Sequence, residues 1–132
     1  MFKTILILLL AFSTPAFAIT NTNYVLESAR SLTASFNGNW APIVGPNFAI
    51  QCDFSLTPTG TLFLQSSNNP STNSADSGST WDWDTISGSS IVLTTNGTQT
   101  WNYSGSGFAK VRVAWTGTGS PTGVLNCQLS QR

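Results

Sequence analysis

Gly107–Leu129, GFAKVRVAWTGTGSPTGVLNCQL, decides the fold. Ala109, Val111, Val113 and Trp115 share one parity, and Lys110, Arg112, Ala114 and Thr116 share the other. Alternation at period two marks a strand with one buried face. Leu125, Cys127 and Leu129 repeat it after a Gly/Thr/Ser/Pro turn. The stretch reads as a long antiparallel hairpin, apolar on one face and polar on the other. On that reading Lys110 and Arg112 are a solvated strand face that guards against aggregation.

Working outward, Phe48, Ile50, Cys52, Phe54 and Leu56 alternate with Ala49, Gln51, Asp53 and Ser55. Thr57-Pro58-Thr59-Gly60 turns the chain, and Leu62 and Leu64 return inward, giving a second hairpin of similar layout. Leu32, Ala34 and Phe36 share a face before Asn37-Gly38-Asn39, a strong turn signal. Trp40–Pro46 holds two prolines and reads as an edge or connecting segment. Ile91–Thr95 and Thr98–Ser104 flank Asn96-Gly97, a hairpin turn. Tyr24–Arg30 suits a short strand or an irregular stretch, and residues 19–30 read as a loose N-terminal segment. These elements amount to about eight strands and no convincing helix. They predict an all-β, antiparallel β-sandwich of jelly-roll or Ig-like type.

Residues 1–18 are not part of that body. Lys3 is followed by the apolar run Ile5–Leu10, then Pro15 and the small-x-small site Ala16-Phe17-Ala18. This pattern is a secretory signal peptide, and the run is far short of the ~20 residues a membrane span needs. The expected mature chain, residues 19–132, is a single domain with one core. Its destination is the periplasm, the cell surface or the medium, with no membrane insertion after cleavage. In an exported chain Cys52 and Cys127 are a candidate disulfide. It closes about 75 residues and contributes roughly 4 kcal/mol through chain entropy.

Charge is sparse. The processed chain holds Arg30, Lys110, Arg112 and Arg132 against Glu27, Asp53, Asp76, Asp82 and Asp84. Such a balance gives no electrostatic footprint for nucleic acid. The sequence contains no histidine, which removes Ser-His-Asp and Cys-His nucleophile systems. Asp82 and Asp84 lie two apart near Asp76 and are the one paired-carboxylate option, for a sugar or for calcium. They lack the acid spacing of an EF-hand, and solvated turn residues are the simpler reading. No enzyme activity, metal or cofactor is implied.

Ser67–Thr80 is a long irregular stretch, followed by Trp81-Asp82-Trp83-Asp84. A loop of this length in a small domain is functional or mobile. Sugars stack on indole faces, so Trp81, Trp83, Asp82, Asp84, Asn68 and Asn69 form a candidate glycan site. Core packing of both tryptophans is the simpler reading. Asn96-Gly97-Thr98 and Asn102-Tyr103-Ser104 match the N-glycosylation pattern, which matters only if the exporting cell glycosylates.

Several segments recur in a familiar order: Phe48-Ala49-Ile50-Gln51, Pro58-Thr59-Gly60-Thr61-Leu62, Leu64-Gln65-Ser66-Ser67-Asn68, Trp81, Ser87-Gly88-Ser89-Ser90, Phe108-Ala109-Lys110-Val111-Arg112-Val113 and Gly123-Val124-Leu125. The series resembles a small β-sandwich domain of tailed-phage virion accessory proteins and related exported bacterial proteins. Asn69 stands where that pattern has an acid. The resemblance implies no catalytic residues. It implies a structural or adhesive module that associates with itself or with a larger fibre. A carbohydrate-binding module is the alternative.

Overall fold

The computed structural model describes residues 21–69 and 82–132, and every helix-or-strand element in them is a strand. In chain order these are β1 (Thr22–Ser31), β2 (Phe36–Pro42), β3 (Asn47–Phe54), β4 (Gly60–Ser67), β5 (Asp84–Thr85), β6 (Ile91–Leu93), β7 (Gly97–Ser104), β8 (Lys110–Gly117) and β9 (Val124–Gln131). One sheet runs β1-β9-β3-β7. The other runs β2-β8-β4-β5, with β6 also paired to β4. All pairings are antiparallel. Residues 1–20, with the expected signal peptide, and residues 70–81, with Asp76 and Trp81, lie outside the described residues.

The chain changes sheet at nearly every connection. β1, β3, β7 and β9 build one layer, and β2, β4, β5, β6 and β8 build the other. This is the connectivity of a jelly roll, with one strand split into the short pieces β5 and β6. Of the two sandwich types expected, the order selects the jelly roll.

The core follows the alternation. Phe48, Ile50 and Cys52 on β3 are buried, as are Leu62 and Leu64 on β4. Val111, Val113 and Trp115 on β8 and Leu125, Cys127 and Leu129 on β9 belong to the same buried cluster. Trp101 and Trp115 are both core residues, as their parity implies. Fully burying each of the larger aliphatic side chains contributes about 1.5–3 kcal/mol. Cys52 and Cys127 stand directly opposite each other on β3 and β9 and are bonded, with S–S 2.02 Å.

None of the three expected hairpins exists. β8 pairs with β2 and β4, while β9 pairs with β1 and β3. Likewise β3 and β4, and β6 and β7, belong to opposite sheets. A hairpin and an arch between layers both put their apolar parity inward and both turn through Gly, Pro and Thr. Alternation therefore fixes the buried face without fixing the partner.

At the start of the chain Tyr24–Arg30 is a strand, the first of the two readings it suited: Thr22–Ser31 is a ten-residue edge strand on β9 rather than part of a loose segment. The residues after it differ from expectation. Leu32 is buried, but Ala34 is exposed in the connection to β2. Asn37-Gly38-Asn39 is no turn: it lies inside β2, at a register shift between Asn37 and Trp40. Close approach explains the glycine. A Cβ on Gly38 would lie 2.8 Å from the Val113 carbonyl oxygen and would overlap the Glu27 carboxylate. Glu27 is buried and accepts a hydrogen bond from the Asn39 amide at 2.8 Å. The pair ties β1 of one sheet to β2 of the other along that side of the sandwich.

Candidate functional site

Of the residues singled out for a site, those described fall on the outward face of the five-stranded sheet or beside it. Register lines up Trp40 on β2, Arg112 on β8, Gln65 on β4 and Thr85 on β5. Arg112 is only 1% exposed and Lys110 only 4%. The expected solvated face is therefore a buried one, and aromatic rings cover it. The Lys110 Nζ sits 4.4 Å from the centre of the Trp40 ring, and the Arg112 Cζ sits 4.3 Å from that of Trp83. Arg112 Nε donates to Gln65 Oε1 at 2.9 Å. Burial pulls its guanidinium down to about 10, so it still carries its charge at neutral pH.

Trp83 is 6% exposed, with one face under that guanidinium. It is a packing residue rather than an open stacking platform. Asn69 and Asp82 are brought together, with Asn69 Nδ2 donating to Asp82 Oδ2 at 2.9 Å. Asn68 Oδ1 accepts from the Ala109 amide at 3.2 Å. The first contact ties the two ends of the long loop to each other, and the second ties its start to the residue before β8. Asp84 is exposed on β5, opposite Ser66. Among the described residues no three Cys, Asp or Glu side chains gather as a metal site.

Arg112→Lys tests the stack. Lysine keeps the charge but loses the flat face on Trp83 and the directed bond to Gln65. The expected loss is about 1–3 kcal/mol of stability, read from urea denaturation, with a tryptophan more open to acrylamide quenching. A variant as stable as the parent would show that the stack contributes nothing.

The sequence reading missed the burial of Lys110 and Arg112. One signal was available: two of the four basic residues in 19–132 sit on one strand. Their aromatic covers come from distant segments, which alternation does not link.

The four-stranded sheet presents a different outward face. Thr98–Asp53–Asn126, Thr100–Gln51–Gln128–Val25 and Asn102–Ala49–Ser130–Asn23 form successive cross-strand rows. All are exposed except half-buried Ala49, and Asp53 is the one charged side chain in these rows. Small Ala49 leaves an open depression of ≈ 330 Å³ among Asn47, Asn102, Ser104, Ser130 and Arg132. Asp53 Oδ1 accepts from the Thr98 hydroxyl at 2.6 Å, so its charge is partly occupied within the face. No protein-family model matches the chain, and no curated protein matches it.

Proposed function

We propose that this chain is a non-enzymatic, exported jelly-roll module with a structural or adhesive role, acting by association with copies of itself. The observation that carries the reading is the outward face of the four-stranded sheet. Its rows of Thr, Asn, Gln and Ser are in register and nearly free of charge. Bringing such a face or its edges against another surface desolvates few ions, which is the costly part of burying a charged surface. Hydroxyls and amides both donate and accept, so they pair readily with their own kind.

Three further features support it. The Cys52–Cys127 bond suits a compartment where disulfides persist. No helix among the described residues is long and apolar enough to cross a membrane. The jelly roll is also the fold of many viral capsid and lectin domains, which favours the likeness to virion accessory domains at the level of fold. Fold alone does not assign function, so the face carries more weight than the topology.

Solution assembly tests the proposal. Light scattering on the processed protein from micromolar to millimolar concentration is expected to show mass rising with concentration. A strict monomer across that range would overturn the reading.

A further inference from the structure

We infer that the self-association surface is the free edge of β7, and that its occupant is β7 of a second copy, added antiparallel across a two-fold axis. This rests on the self-association reading and adds the contact itself.

Among the described residues the sandwich has four sides where a strand could be added, and three are guarded. β1 is broken by register shifts on both sides of Glu27, and Ala29 adopts φ 49°. β2 carries the shift at Gly38 and ends in Pro42. At the far margin of that sheet β5 and β6 have two and three residues. Short strands, bulges and prolines are the usual means of blunting an edge. β7 has none of them. It pairs with β3 over eight unbroken positions and contains no proline and no charged residue.

The phase of the ladder shows which groups are free. Gly105 N–H donates to the Pro46 carbonyl, so the odd-numbered residues of β7 exchange bonds with β3. The backbone groups of Thr98, Thr100, Asn102 and Ser104 therefore face away from the sheet. Among the described residues the one bond they receive there is from Gln99 Nε2 to the Thr100 carbonyl, at 3.2 Å.

A two-fold axis at Trp101 sets Thr98 opposite Ser104 of the second copy and Thr100 opposite Asn102. Each of these matches exchanges a pair of backbone hydrogen bonds. Hydroxyls and amides then neighbour one another on the outer face, and no like charges meet. The other edges of a second copy are bulged, kinked or short, so β7 matches only itself, and the contact is isologous and closed. The two four-stranded sheets become one, with their polar rows continuous across the junction.

Thr100→Pro tests this. It removes an N–H that β3 does not use, and proline is tolerated on edge strands at such positions. Thr100→Lys is the second variant, placing two like charges beside the axis. In sedimentation equilibrium each is expected to weaken the dimer at least tenfold, with the circular dichroism spectrum retained. Gln128→Lys, on the interior strand β9, is expected to leave the dimer unchanged. Amide exchange on the parent protein should slow at residues 98, 100, 102 and 104 as concentration rises. Exchange that is independent of concentration there overturns the inference, as does a dimer unaffected by both Thr100 variants or one weakened by Gln128→Lys alone. In those cases self-association itself stands. A strict monomer at millimolar concentration overturns both.

Discussion

Replacing Cys52 and Cys127 together by alanine is expected to lower the unfolding free energy by about 4 kcal/mol. The bond joins residues 75 positions apart. Cutting it returns that loop's freedom to the unfolded chain, and chain-closure entropy sets the size of the loss. The folded state changes little. The two cysteines face each other on adjacent strands, and the neighbouring Asn47–Arg132 and Ser55–Val124 bonds put them at a non-hydrogen-bonded position. Such pairs bring Cα atoms to about 4.5 Å in any antiparallel ladder, and here the distance is 4.2 Å. The sheet already holds the geometry that the bond needs. A domain of this size has a total stability of roughly 5–15 kcal/mol, so the loss is a large share of it. Urea denaturation should show the midpoint falling by roughly 2 M. The reduced parent protein should fall with the double variant. A loss below about 1 kcal/mol would mean that the reduced, unfolded chain keeps β3 near β9.

The same residues show what was legible in the sequence. Cys52 and Cys127 lie in runs where each second residue is apolar, and a half-buried strand imposes that period directly. Strand existence, inward parity and the sandwich class were all readable from it. Partnership was not. Val113 points inward whether β8 folds back on β9 or crosses to the other layer, because both routes need the same pattern and the same turn residues. Arg112 escaped for a related reason. Alternation assigns a charged residue to the wet side, and its cover, Trp83, comes from a stretch with no period. Gly38 was visible as a glycine, but its reason, the Glu27 carboxylate and Val113 carbonyl beside it, exists only once β1, β2 and β8 are assembled. The polar outward face, with Asp53 its one charge, was legible residue by residue on β3 and became a surface only through register.

Trp115→Ala is expected to cost at least about 4 kcal/mol, by two separable routes. The indole is 1% exposed and lies in register between Phe36 and Leu62. Removing it leaves a cavity that surrounding strands cannot fill, a loss of about 3–5 kcal/mol for large aromatics. A nearby glycine confirms how tightly the ring is held. A Cβ on Gly60 would come within 2.7 Å of the indole Cη2, so the slot is cut for the ring. The second route is polar. Trp115 Nε1–H donates to the Leu32 carbonyl at 3.0 Å, in the connection that carries the chain from β1 to β2. Leu32 is itself fully buried, and its amide donates to the Gly123 carbonyl at 3.0 Å. That short crossing is thus pinned at its carbonyl by β8 and at its amide by the approach to β9. Losing the indole donor strands a buried carbonyl, at about 1–3 kcal/mol. Trp115→Phe isolates this route, because it keeps most of the ring volume and loses the N–H. Its expected cost is therefore about 1–3 kcal/mol, well below that of alanine. Denaturant titration of both variants, followed by near-ultraviolet dichroism, measures the difference. Equal losses would place the whole effect in the bond to Leu32. A phenylalanine variant as stable as the parent would place it in the volume alone, leaving the crossing to be held by Gly123.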